Sequence, residues 1–226
     1  RIYGSPVEDV DESQRFIGKT TILGCGYGMG AVRFREQLKS FGVELSEEEC
    51  RRIIRVYRDS NDKIVRLWKQ AQAVLAGLVM GDKYDLGAVP CLTVVPSEQG
   101  VQMPSGLFLR YKGLECFEGE KGLQYSYQTR VGPTNIYGGK VIENVCQGIA
   151  RCIIAEQMLR ISKKYKVALT VHDSVVSVVR DADVDAAAEY IEECMAWIPK
   201  WAKGLPVSGE ANVGPNYGDV KQWERK

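Results

Sequence analysis

The chain has 226 residues, 45% of them hydrophobic and 26% charged, with a formal net charge of +1. That length is enough for one large hydrophobic core or two small ones, and the composition is that of an ordinary globular protein, not a disordered or fibrous one. The near-neutral sum is silent about nucleic acid, because basic groups gathered in one cleft cancel in the total.

There is no signal-peptide pattern, and the longest apolar runs, such as 73–80, are far too short to span a bilayer. The chain is therefore read as cytoplasmic, with no membrane partner. Seven cysteines are an odd count without a C-x2-C pair, and the single histidine is His172. Reduced thiols filling the core fit this better than disulfides or zinc.

Residues 1–12, with Gly4, Pro6 and several acids, are expected to cross the surface, and Asp11 or Ser13 to cap the helix beginning there. A helix over about 13–27 sets Arg15, Lys19, Leu23 and Tyr27 four residues apart. They form one slowly drifting stripe about 18 Å long at 1.5 Å per residue. Two permanent cations lie at its N-terminal end, where the helix dipole is also positive, and an apolar and an aromatic side chain lie at the other. The layout suits a nucleoside triphosphate, with phosphates on the Arg15 fork and the Lys19 point charge and the sugar and base near Leu23 and Tyr27. An amphipathic helix with two solvated basic residues has the same spacing, and spacing alone leaves both open. Gly24, Gly26, Gly28 and Gly30 weaken the helix end by about 1 kcal/mol each relative to alanine, either to let it swing or to allow close packing.

A second helix is predicted from Gly30 to Phe41, with Ala31, Phe34 and Leu38 inward and Gly42 as its stop. Ser46 with Glu47, Glu48 and Glu49 reads as a capping box opening a long helical stretch that Asp59-Ser60-Asn61-Asp62 divides in two. Arg51, Arg52, Arg55 and Arg58 along its first piece are read as a solvated face balanced by the glutamates. From 81 to 132, glycines, prolines and short alternating runs predict strands and turns. A long helix is predicted over 137–165, with Val141, Val145, Ile149, Cys152 and Ile153 as its buried stripe and Gln147 and Arg151 four apart on a neighbouring face. Residues 166–179 alternate as a hairpin with Asp173 at its tip. Such an aspartate is either a turn former or an exposed hard-oxygen metal ligand. Asp183 is expected to cap a helix carrying Val184, Ala187, Ile191, Cys194 and Met195, and a strand near 206–213 to include Glu210. The fold class is mixed α/β, helical first and then an antiparallel sheet backed by helices.

The wording of these segments carries a resemblance. Arg15-x3-Lys19-x7-Tyr27-Gly28 resembles motif B of polymerases built like DNA polymerase I, and 169–176, with His172-Asp173, resembles their motif C. Met103-Pro104-Ser105-Gly106, Tyr137-Gly138-Gly139-Lys140 and 143–151 are similar to the phage branch of the family A DNA polymerases. The resemblance covers residues 1 to about 217. It implies a fingers portion over 1–100, a palm portion over 101–226, and template-directed DNA synthesis by a two-metal mechanism. Under it Asp173 ligates Mg²⁺, Lys19 and Arg15 meet the triphosphate, and Leu23 and Tyr27 border the nucleotide. His172, Gln147, Arg151 and Gly28 lie on the primer–template DNA, and dNTP is the second substrate.

One carboxylate does not hold two metals. The family's other metal aspartate lies in motif A, and no stretch between Arg1 and Arg15 resembles it. The expectation is that the chain is the C-terminal part of a polymerase, inactive alone, whose motif A, thumb and exonuclease belong to an upstream segment or a further polypeptide. Three residues depart from the family's pattern. Leu23 stands where Phe or Tyr is usual, Ser174 replaces glutamate after Asp173, and Leu107 stands where phage relatives have arginine. A single-subunit phage-type RNA polymerase shares both motifs, and a non-catalytic DNA-binding or assembly subunit of the same shape is the alternative from another class.

Overall fold

Residues 2–82, 84–85, 93–119 and 122–224 are described by a computed structural model. They are mixed α/β, with six α-helices and small antiparallel sheets, and they divide into two compact units.

Unit 1 comprises residues 1–102 and 107–146. It opens with four helices, α1 (Glu12–Cys25), α2 (Ala31–Ser40), α3 (Glu47–Ser60) and α4 (Asp62–Met80). Their ends obey local chemistry. The Asp11 carboxylate accepts the Gln14 N–H at 2.8 Å and the Ser46 hydroxyl accepts the Glu49 N–H at 3.1 Å, each satisfying one orphan donor of a first turn. Gly42, at φ 80°, stops α2. The break between α3 and α4 falls on Asn61, whose side-chain amide donates to the Tyr57 carbonyl at 2.8 Å.

Phe34, Leu38, Cys50 and Ile53 are fully enclosed among Ile17, Cys25, Ile54 and Tyr57, each large side chain contributing about 1.5–3 kcal/mol of burial. On the outer side of α3, Arg51 pairs with Glu47 and Arg52 with Glu49 at 2.8 Å, while Arg58 lies over the Trp68 ring. The expected balance by glutamates holds for Arg51 and Arg52, while Arg55 and Arg58 are exposed without an acidic partner among the described residues.

Two sheets complete the same unit. β1 (Tyr84–Asp85), β2 (Thr93–Val95), β3 (Gly100–Gln102) and β4 (Phe108–Arg110) pair antiparallel in chain order, and β5 (Glu115–Gly119), β6 (Gly122–Thr129) and β7 (Gly132–Ile136) form a meander. Tyr125 and Ile136, opposite one another in register, are the buried pair of the second sheet.

Helix α5 (Gly138–Ile161) contains the division between the units. Val141, Val145, Cys152 and Ile153 are buried along it as predicted, Ile149 only partly. Residues 162–165 form turns instead of a further helical stretch.

Unit 2 comprises 103–106 and 147–226. After α5 come β8 (Val167–Val171), β9 (Ser174–Ser177), α6 (Val184–Ala196), β10 (Asn212–Asn216) and β11 (Asp219–Gln222). The first two and the last two strands form separate two-stranded hairpins. Polar side chains tie α5 to the later part of the unit: Tyr190 donates to the Arg160 carbonyl at 2.9 Å and the Trp201 indole to Glu156 at 2.7 Å.

The structure corrects two expectations. Asp183 precedes α6 but makes no side-chain cap, because its carboxylate accepts from Arg180 at 2.8 Å. The strand expected near 206–213 begins at Asn212, so Glu210 lies outside it. Gly209 runs close against α6, where a Cβ would come within 2.7 Å of the Met195 Cβ.

Cys25, Cys50, Cys152 and Cys194 are buried free thiols and Cys116 and Cys146 exposed ones. Burial pushes the Cys25 thiol up to about 11, as befits an inert core filler. No helix among the described residues is long and apolar enough to cross a membrane.

Candidate nucleotide and nucleic-acid site

Helix α1 is sharply two-sided. Ile17, Thr20, Thr21, Gly24 and Cys25 are buried, and Arg15, Lys19 and Leu23 stand on the open side, Leu23 with 59% of its surface exposed. Thr21 stays buried by returning its hydroxyl to the Ile17 carbonyl at 2.7 Å. Neither Arg15 nor Lys19 has an acidic partner among the described residues, although eight other ion pairs are formed. Two cations one turn apart, in no ion pair among the described residues, make a place for an anionic ligand.

The regular helix ends at Cys25, so Tyr27 is in the turn beyond it and the stripe is not helical to its end. Tyr27 N–H donates to Gly24 O at 3.3 Å and Gly28 N–H to Cys25 O at 3.1 Å. Gly28 takes φ 86°, a conformation costly for any residue with a Cβ. Of the two roles open for the glycines, close packing accounts for Gly24, where a Cβ would come within 2.9 Å of the Met29 sulfur, while Gly30 has open space around it. Tyr27 is half-buried. Burial raises its phenol above the usual range, with smaller contributions from Cys146 and Glu143.

Three site residues carried no signal in the sequence. Phe16, Gln37 and Phe41 join Lys19, Thr20 and Leu23 around a hollow of about 280 Å³ between α1 and α2. Phe16 and Phe41 meet edge to face at 5.4 Å. The Gln37 carbonyl oxygen is buried there with no hydrogen-bond partner. Of these six, spacing singles out only Lys19 and Leu23, because the rest of the lining depends on how α1 packs against α2 and the residue after it.

The remaining predicted residues belong to unit 2. Gln147 and Arg151 are exposed on α5, four residues apart. His172 and Asp173 form the two-residue connection between β8 and β9, both exposed, with Val171 paired to Ser174. His172 sits at φ 53°, an uncommon conformation for a residue with a side chain. Of the hairpin's apolar side chains, Leu169 and Val171 are exposed, while Val167, Val175 and Val176 are half-buried. Among the described residues no group of three or more His, Cys, Asp and Glu side chains comes together to hold a metal. Asp173 presents one exposed carboxylate, suited to be one ligand of a hard cation and no more.

No family model matches the chain. It is similar to a DNA polymerase of Bacillus phage SP02, 31% identical over 96% of the chain, and to a DNA polymerase of Bacillus phage SP01, 21% identical over 96%. The chain spans 35% of the length of the first and 22% of the second.

Proposed function

We propose that the chain is the fingers-plus-palm portion of a family A DNA polymerase and that it joins a dNTP to a primer 3′ end. The observation that carries this is the open face of α1, where Arg15 and Lys19 lie without acidic partners among the described residues beside exposed Leu23. The similarity to two phage DNA polymerases over nearly the whole chain supports the same reading and favours DNA over RNA synthesis.

In the reaction the primer 3′-hydroxyl gives up its proton to solvent water and its oxygen forms a bond to the α-phosphorus. The bond from that phosphorus to the oxygen bridging the β-phosphate breaks, and pyrophosphate leaves. Arg15 and Lys19 hold the triphosphate in line and offset the charge that grows on the leaving group, and Lys19 donates a proton to it. Leu23 and Tyr27 border the sugar and base. Asp173 would hold Mg²⁺, which when bound neutralises charge on the attacking and leaving oxygens. His172 would lie at the primer end, and Gln147 and Arg151 along the primer–template duplex. A second carboxylate set is required for two metals, and a motif A strand from elsewhere in the polymerase would supply it beside the open hairpin of β8 and β9. On this reading the chain is inactive alone.

Arg15→Ala and Lys19→Ala in the complete enzyme are expected to lower the incorporation rate far more than duplex affinity, and Asp173→Ala to abolish Mg²⁺-dependent extension. Equal loss in rate and affinity, or an active Asp173→Ala enzyme, refutes the assigned roles. Extension with dNTPs set against rNTPs tests the choice of DNA. Robust extension by the isolated 226-residue chain refutes the need for a second segment.

A further inference from the structure

The turn that ends α1 is held by residues outside it. The Trp68 indole N–H, on α4, donates to the Gly26 carbonyl at 3.0 Å. One turn further along α4, the Gln72 side-chain oxygen accepts the N–H of Gly138 at 2.7 Å. Gly138 lies directly on the α4 backbone: a Cβ there would overlap the Trp68 carbonyl oxygen and reach the Gln72 nitrogen at 2.8 Å. Gly139 lies as closely on the α1 turn, where a Cβ would overlap the Tyr27 carbonyl oxygen and meet its carbon at 2.9 Å. The ring of Tyr137 closes the remaining side, 3.4 Å from where a Cβ of Gly28 would be. Three separate pieces of unit 1 therefore meet backbone to backbone around residues 26–28.

Direct backbone approach of this kind has no slack. A flexible side chain yields to a neighbour by rotating, whereas a carbonyl against a Cα moves only if its whole helix end moves. Gly138 and Gly139 open α5, so their positions are fixed in turn by Val141, Ile142 and Val145, all buried one or two turns later. The Gly26 carbonyl is one of the orphan acceptors beyond a helix C-terminus, and Trp68 occupies it from a side chain held against the core of α1 and α3.

We infer that Trp68, Gly138 and Gly139 are positioning residues: they form a seat for the C-terminal turn of α1 that sets the aim of Tyr27, Leu23 and Lys19 at bound dNTP. This rests on the reading of α1 as the nucleotide helix. None of the three needs to touch nucleotide. They act by fixing one end of a helix whose open face does.

Trp68→Phe is the chosen variant, because it keeps an aromatic ring in the packed site while removing the N–H together with the second ring of the indole. In the complete enzyme we expect a small fall in the denaturation midpoint, from the lost bond and ring volume, and unchanged duplex affinity. A small misplacement of reacting groups costs up to about 100-fold, and loss of this one bond should lower kcat/KM for dNTP by about tenfold. Discrimination between dNTP and ddNTP should shift as Leu23 moves, and amide exchange of residues 24–28 should quicken. Gly139→Ala should produce the same changes more strongly. Lys19→Ala in parallel tests the underlying reading by a separate residue.

If Lys19→Ala impairs incorporation and Trp68→Phe does not, the nucleotide helix stands and the seat is overturned. Faster exchange at 24–28 with unaltered dNTP kinetics also overturns it, since the bond then holds the turn without aiming it. If Lys19→Ala leaves incorporation intact, the nucleotide reading fails and the inference falls with it.

Discussion

Gln157 offers a quantitative test of the forces that hold unit 2 together. It is fully buried on α5, and its side-chain amide donates to the Met195 carbonyl at 2.6 Å and the Trp197 carbonyl at 3.0 Å. These acceptors lie at and just beyond the last residues of α6, where carbonyls have no intrahelical donor. Gln157 is in effect a C-terminal cap contributed by another helix.

Replacing it with leucine fills nearly the same space and leaves both carbonyls without that donor, at about 1–3 kcal/mol each. The change also removes the Gln157 carbonyl oxygen, which is buried without a partner, and so returns about 1–2 kcal/mol of its desolvation. Taking the middle of each range, the expected net loss is about 2–3 kcal/mol. Urea denaturation monitored by tryptophan fluorescence measures it, since Trp197, Trp201 and Trp223 all belong to this unit, and amide exchange in α6 localises it. A loss below about 0.5 kcal/mol, the ordinary range of a surface substitution, refutes the capping argument.

Leu23→Phe places an aromatic ring on the open face one turn past Lys19, and dNTP–ddNTP discrimination in primer extension should change; unaltered discrimination removes Leu23 from the sugar pocket. Burial pushes the Tyr111 phenol up to about 12, against a smaller lowering by the Asn144 amide that donates to it at 3.3 Å. A raised folded value means stability that is full below the unfolded pKa of about 10 and lost as pH rises from there through about 12. Ultraviolet titration should therefore find one tyrosine ionising late, and Tyr111→Phe should flatten the alkaline loss of stability in unit 1; an identical alkaline profile refutes the assignment.

The sequence by itself determined the features that short-range chemistry controls. Asp11 and Ser46 cap their helices because a side-chain oxygen reaches an N–H three residues on. Gly42 and Asn61 punctuate because of their own backbone conformations and bonds within a turn. The hairpin with Asp173 at its tip comes from alternation and length alone, and the structure adds His172 to the turn. Where a polar residue had two partners within reach, local reasoning failed: Asp183 took Arg180 instead of the helix end. Tertiary structure alone decided the rest. Trp68 reaches Gly26 across 42 positions and Gln72 reaches Gly138 across 66, separations over which no periodicity carries information. The Tyr137-Gly138-Gly139 stretch reads in the chain as a helix opening weakened by glycine; only the packed backbones of α1 and α4 explain why a side chain cannot stand there. Gln157 likewise reads as one more polar residue on a long helix, until the last carbonyls of α6 arrive beside it and need a donor.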